Sequence, residues 1–175
     1  MTTFNIPTLQ TDRFTLRAPC LSDFEAYAAF GSSERSAPVG GPFDRTTAFR
    51  NLCALGGQWQ LRGYGRWIVA GKETDAPLGI VGIYHPDDWP EPEIGWTLFE
   101  EAEGRSVAFE AAQATRAFAY ETLGWTTLVS HVAPDNTRSA ALARRMGAEK
   151  EGVFQHPSYG QFDIWRHLSP DEVAA

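Results

Sequence analysis

The sequence predicts a mixed α/β fold in which a central, mostly antiparallel sheet is flanked by helices. Three observations carry this reading. Short apolar runs rich in β-branched and aromatic residues, separated by Gly, Pro and Asp, recur through the middle of the chain as strands do. Stripes of helical period lie before and after them. The composition, 43% apolar, 13% aromatic and 21% charged over 175 residues, is that of an ordinary globular chain. Such a chain buries roughly 70% of its unfolded surface in one core. No repeat, low-complexity tract or linker interrupts it, so residues 1–175 read as one domain.

Taken in order, Phe14-Thr15-Leu16-Arg17 alternates apolar and polar residues and Pro19 follows, which reads as a half-buried strand. Ser22 opens an S-x-x-E capping box with Glu25, and Phe24, Tyr27 and Ala28 sit at helical spacing around it. A second helix is predicted from Asp44 to about Gln60, capped by Asp44 or Thr46, with Phe49, Leu52 and Cys53 on one face. Trp67–Ala70, Leu78–Tyr84 and Ile94–Phe99 read as strands, joined by a hairpin at Lys72–Pro77 and by a Pro-rich loop at His85–Pro92. After Gly104 the period turns helical: Val107, Ala111, Thr115 and Phe118 trace one stripe, and Gly124 stops it. Leu128–Val132 reads as a strand, Asn136 as an N-cap, Ser139–Met146 as a short helix closed by Gly147, and Val153-Phe154 and Phe162–Leu168 as closing strands. From Ser169 onward a polar tail is expected, with Pro170 marking the end of packing. The order β-α-α-β-β-β-α-β-α-β-β places antiparallel strands early and one strand-helix-strand crossover late.

Fifteen basic against 22 acidic residues leave a net charge of −7, which argues against a surface built for nucleic acid or for an anionic membrane. Cys20 and Cys53 form no CxxC pair and are expected to be reduced, buried thiols. The N-terminus lacks a basic segment followed by an apolar one, and the longest apolar run, Leu78–Tyr84, is too short to span a bilayer, so a cytoplasmic location is expected.

Several motifs fail. Gly65 to Lys72 superficially suggests a phosphate loop, but its glycines are spaced wrongly and Glu73 stands where a magnesium-binding hydroxyl belongs. Gly63-Tyr64-Gly65 lacks the third glycine of a dinucleotide fingerprint and opens a strand rather than a helix. His85, His131, His156 and His167 have no metal-ligand spacing, so no metal is expected.

One constellation survives. The strand Glu93-Ile94-Gly95-Trp96-Thr97-Leu98-Phe99 runs into Glu103-Gly104-Arg105-Ser106-Val107-Ala108, which opens the amphipathic helix. A helix N-terminus offers unpaired N–H groups and the positive end of the dipole, so a turn of small residues there suits a pyrophosphate, though such turns also serve packing alone. Gly104 and Ser106 permit close approach, and Arg105 adds a charge-assisted contact. Downstream, Val132-Ala133-Pro134-Asp135-Asn136 leads into Thr137-Arg138-Ser139-Ala140-Ala141-Leu142-Ala143-Arg144-Arg145-Met146-Gly147-Ala148.

With these two segments in this order, the chain resembles the GCN5-related N-acetyltransferases (GNAT) over Leu9–Leu168, in particular the branch of ribosomal-protein N-terminal acetyltransferases and their small-molecule relatives. The resemblance implies a sheet with a splayed central strand pair and acetyl-CoA as co-substrate. It implies a primary amine as acceptor, on a small molecule or a protein N-terminus, and direct attack in a ternary complex. A monomer or homodimer is expected. The pantetheine would pair along Trp96 to Phe99, with a backbone N–H near Leu98 or Phe99 holding the carbonyl oxygen, and the pyrophosphate would rest on Gly104, Arg105, Ser106, Val107 and Ala108. Asn136 matches the residue that contacts the pantetheine arm, and Ser139 the one near the thioester sulfur. The chain departs from the family pattern at Ser106, where a glycine is usual, and at Glu101, near a usual basic residue or glutamine.

Acetyl transfer needs a neutral amine, a polarised carbonyl and a protonated leaving thiolate. His131 is the first candidate base, because an imidazole titrates near neutrality and the position matches a catalytic glutamate of some relatives. Glu93 is the second, and Ser139 the candidate partner of the thiolate. Where part of the family carries an acidic tyrosine this chain has Ala143, which leaves Tyr159 open for that role. Trp59, Trp67, Trp89 and Trp96 are candidate walls of an acceptor pocket. Seven carboxylates and no Lys or Arg lie between Asp87 and Glu103, so Asp87, Asp88 and Glu91 are expected to draw in a cationic amine. The rival readings are a non-catalytic acyl-CoA-binding module on the same fold and an unrelated nucleotide-binding α/β domain.

Overall fold

A computed structural model describes residues 5–175. Among the described residues eight strands form one sheet: β1 (Leu9–Gln10), β2 (Phe14–Arg17), β3 (Arg66–Gly71), β4 (Pro77–Tyr84), β5 (Glu93–Leu98), β6 (Val129–Val132), β7 (Glu149–His156) and β8 (Gly160–Arg166). Their spatial order is β1-β2-β3-β4-β5-β6-β8-β7, and every neighbouring pair is antiparallel except the parallel pair β5 and β6. The helices are α1 (Phe24–Gly31), α2 (Arg45–Arg62), α3 (Val107–Ala117), α4 (Thr137–Arg145) and α5 (Pro170–Ala174). The expected mixed, mostly antiparallel sheet flanked by helices is therefore present.

Strand alternation divides the core between the two sheet faces. On one, Trp67, Val69, Val81, Ile83 and Ile94 pack against Val107 and Ala111 of α3 and against Phe118 just after it. On the other, Ile68, Ile80 and Phe99 meet α1 and α2 through Tyr27, Phe30, Leu52 and Leu55. Helix α2 is rotated from its expected face. It buries Ala48, Leu52, Leu55 and Trp59, at positions i, i+4, i+7 and i+11, and leaves Phe49 and Cys53 exposed. The largest apolar side chain sets the phase: Trp59 must reach Trp67, 4.7 Å away between ring centroids, and Phe118 at 6.0 Å. Cys20 is exposed as well, which corrects the expectation of two buried thiols.

The entry to α1 also differs. The capping carboxylate is Asp23 rather than Glu25: it accepts the Cys20 N–H at 2.8 Å and both terminal Arg17 nitrogens at 2.9 and 2.8 Å, at the start of a short 3-10 turn. A bidentate guanidinium satisfies the buried Asp23 more fully than a serine hydroxyl could, and Glu25 pairs with Arg45 instead. Asp44 caps α2, accepting from Thr47 N at 2.8 Å. The tail after Ser169 is not unstructured. Ser169 and Glu172 form a capping box that opens α5 with Pro170 at its first position. Strand β7 is longer than its apolar pair Val153-Phe154 indicated, because Glu149, Lys150 and Glu151 occupy an exposed edge where polar residues are tolerated.

Two features of β4 and β5 position the site. The first is close packing: a Cβ at Gly79 would lie 2.3 Å from the Thr97 carbonyl oxygen and 3.0 Å from Leu98 Cα, so Gly79→Ala is expected to cost about 2 kcal/mol or more, read as a lower Tm. An unchanged Tm would contradict this register. The second is the splay. Strands β5 and β6 share one register position, Glu93 with Val129, and beyond it the two diverge.

Candidate active site

Glu93 and His131 stand where the two parallel strands meet. Glu93 Oε2 accepts the His131 backbone N–H at 2.8 Å and its ring Nδ1–H at 2.9 Å. The residues read from sequence as rival bases are thus one hydrogen-bonded unit. With Nδ1 donating, a neutral ring has its lone pair on Nε2. That nitrogen is buried and has no partner among the described residues, with the Trp89 and Phe154 rings packed at 6.1 and 5.5 Å from the imidazole. Among the described residues Glu93 Oε1 takes no hydrogen bond, and it looks along the strand over Gly95. A Cβ built there would meet nothing nearer than that oxygen at 3.8 Å and Tyr84 at 3.9 Å. Glycine keeps the floor beside the carboxylate open.

Past Glu93 the splay exposes one edge of β5. Phe99 N–H donates to the Leu78 carbonyl at 2.9 Å, toward β4, so strand alternation turns the Trp96 and Leu98 amides the other way, into the splay. The amide suited to hold a carbonyl oxygen is therefore that of Leu98 and not that of Phe99, whose side chain is also core. Across the gap, Asn136 caps α4 by accepting Ser139 N–H at 3.1 Å, which starts the helix at Thr137, two residues earlier than expected. The Asn136 amide NH2 remains available. Ser139 Oγ accepts from the Trp96 indole at 3.1 Å, leaving its own proton to donate elsewhere. Ser130 ties the base of the splay by donating to the Ile94 carbonyl at 2.7 Å.

The turn before α3 has two residues in the left-handed region, Gly104 at φ +70° and Ser106 at φ +59°. Nothing lies within 4 Å of a Cβ placed on Gly104. Val107 and Ala108 are buried, so they present backbone N–H groups rather than side chains. Arg105 is exposed and donates to the Glu101 carbonyl at 3.3 Å. Two further arginines reach the turn from α4: Arg145 donates to Ser106 Oγ at 3.0 Å, and Arg138 pairs with Glu103 at 2.9 Å. Arg35 also pairs with Glu103, and hydrogen bonds from Arg138 and Arg35 hold that carboxyl below the usual range. Glu103 therefore braces the turn rather than opposing an anion there. Sequence reasoning passed over Arg138 and Arg145, although their i, i+7 spacing places both on one helix face.

Residues 13–149 match the family model of the acetyltransferase (GNAT) domain. The chain belongs to the GNAT acetyltransferases. An acetyltransferase from Agrobacterium tumefaciens is 40% identical, with a TM-score of 0.85 over 95% of this chain and 97% of that one. An uncharacterized N-acetyltransferase from Bacillus licheniformis is 28% identical over 85% of each chain. The fold is shared with a ribosomal-protein-S5-alanine acetyltransferase from Vibrio fischeri, 16% identical, with a TM-score of 0.72 over 95% of this chain and 99% of that one.

In this GNAT domain the four tryptophans expected to wall an acceptor pocket, of six in the chain, have separate places. Trp59 and Trp67 are core, Trp96 lies in the splay against Ser139, and Trp89 lines the site. Around Trp89 stand Tyr84, Phe154, His156, Tyr159 and Phe162. Two carboxylates expected to attract a cation are already engaged: Asp88 with His156 at 2.9 Å and Glu91 with Arg166 at 2.7 Å. His156 accepts the Ser158 and Tyr159 amides at Nδ1, so Nε2–H points at Asp88 and clamps the Trp89 loop onto the β7–β8 turn. Ala143 is fully buried, and no described helix is long and apolar enough to cross a membrane.

Proposed function

We propose that this GNAT domain transfers acetyl from acetyl-CoA to a primary amine by direct attack, with Glu93 as base and His131 as the residue that positions it. The observation that carries this is the unbonded Glu93 Oε1, facing open floor over Gly95 while Oε2 is held by two N–H groups of His131. A carboxylate fixed at one oxygen and free at the other accepts a proton without reorganising. This exchanges the roles expected from sequence, since the His131 lone pair is sealed under Trp89 and Phe154.

The features around the splay suit the donor. The Leu98 amide supports the thioester carbonyl, Asn136 NH2 the pantetheine arm, and the N–H groups of the Gly104–Ala108 turn, with Arg105 and Arg145, the pyrophosphate. Ser139, oriented by Trp96, donates a hydrogen bond that stabilises the departing thiolate, which takes up its proton from solvent.

The test is thiol release from acetyl-CoA in the presence of peptide, polyamine, aminoglycoside and amino-acid acceptors, together with thermal melts. Stabilisation by acetyl-CoA with turnover of one acceptor class is expected. Stabilisation without turnover on any of them indicates an acyl-CoA-binding module, and no stabilisation removes acetyl-CoA as ligand.

A further inference from the structure

The sheet face that carries Glu93 also carries a cation that makes no salt bridge among the described residues. Arg66 opens β3 in register with Gly82, which is in register with Gly95, while Tyr84 is in register with Glu93. Arg66, Gly82, Gly95, Tyr84 and Glu93 therefore share one face, two of them without side chains. The partly buried Arg66 guanidinium lies over the Tyr84 ring, 4.3 Å from its centroid. Among the described residues it makes no salt bridge, as is also true of six other arginines, whereas Arg13, Arg17, Arg35, Arg45, Arg138 and Arg166 each pair with a carboxylate. Burial disfavours its charge, and the ionisable groups acting on it are Tyr84, Tyr27 and Glu93. Tyr84 and Glu93 lie one strand apart, about 5 Å. Gly82 is filled by the neighbouring strand, a Cβ there lying 2.5 Å from Arg66 Cα, so the open floor is that of Gly95. A guanidinium and a carboxylate thus share this face without bonding each other, an arrangement complementary to a molecule that carries both an amine and an acid group.

We propose that Arg66 anchors a carboxylate of the acceptor, and that the preferred acceptor is a compact amino acid whose amine meets Glu93 Oε1. This rests on the transfer reading above and narrows its substrate class. Arg66 supplies the planar fork that binds a carboxylate through two N–H donors. Its positive charge beside the amine also favours the neutral, nucleophilic form over the ammonium. A peptide N-terminus without a nearby acid group would leave the guanidinium unmatched.

The test compares alanine and phenylalanine with ethylamine and phenethylamine, and with an N-terminally free, C-terminally amidated peptide, by initial rates with acetyl-CoA. The wild-type kcat/KM is expected to be at least about tenfold higher for each amino acid than for its decarboxylated counterpart. Arg66→Gln is expected to raise KM for the amino acids about tenfold with a smaller change in kcat, bringing that ratio near one. Arg66→Lys, which keeps the charge but not the fork, should restore part of the ratio, and melts of all three proteins control for folding. Equal wild-type rates on both members of each pair, a preference for the amidated peptide, or an Arg66→Gln loss that falls equally on acids and amines would overturn the carboxylate anchor while leaving acetyl transfer standing. No turnover of any amine would remove the transfer reading and the anchor together.

Discussion

Glu93→Gln is expected to lower kcat by about 100-fold or more on any acceptor the protein acetylates, the usual scale for loss of a general base. Glutamine keeps the volume and can still accept the His131 N–H through its carbonyl oxygen, so the splay should hold its shape. The affinity for acetyl-CoA, measured by calorimetry, should change by no more than about twofold, because Glu93 lies outside the donor's turn. His131→Ala separates the two members of the pair. It removes one donor to Glu93 Oε2 but leaves the backbone N–H at 2.8 Å, so the carboxylate stays tethered and a loss of only about tenfold is expected. A larger loss in His131→Ala than in Glu93→Gln would reverse the assignment and make the imidazole the base.

Acid should destabilise the fold well above the carboxylate range. His167 is buried, and desolvation, with Arg116 and Arg166 nearby, pushes its pKa from 6.5 to about 3. Ser130 commits its own proton to the Ile94 carbonyl, so it accepts from His167 Nε2–H at 2.9 Å, while Nδ1 is buried and unbonded among the described residues. The imidazole is therefore neutral in the folded protein and protonated once unfolded below its ordinary value. Because the unfolded chain binds the extra proton, stability is full above about pH 6.5 and falls as the pH drops toward 3. At pH 4 the loss through this residue is roughly 3 kcal/mol. Urea unfolding between pH 7 and 4 should show that slope, and His167→Gln should flatten it, whatever its effect at pH 7. The same slope in the variant would mean that other groups carry the acid sensitivity.

Most elements that position the site were legible because local rules set them. The stripe Val107, Ala111, Thr115 and Phe118 is buried as its spacing required, Gly124 ends that helical segment with φ +69°, and Asn136 caps α4 as its place before the alanine-rich run implied. Where local rules failed, a partner distant in sequence had won. The α1 entrance follows Arg17 rather than the Ser22 and Glu25 pattern, and the phase of α2 follows the contact of Trp59 with Trp67. The two candidate bases were both named from sequence, but as competitors. Their 38-residue separation gave no sign that one carboxylate holds the other's ring.

The sequence by itself determined the family, the order of strands and helices, and the segments from which the site is built. These rest on periodicity, turn chemistry and helix capping, which act over a few neighbouring residues. The tertiary structure alone decided which charges are spent and which are free. Of the acidic run from Asp87 to Glu103, Asp87, Asp88 and Glu91 are expected from sequence to attract a cation, yet folding assigns Asp88 to His156, Glu91 to Arg166, Glu93 to His131 and Glu103 to two arginines. Arg66, unremarked in the linear chain, makes no salt bridge among the described residues and stands on the sheet face that carries Gly95. Electrostatic pairing depends on distances of a few ångströms between elements far apart in sequence, and only packing of the sheet sets those distances.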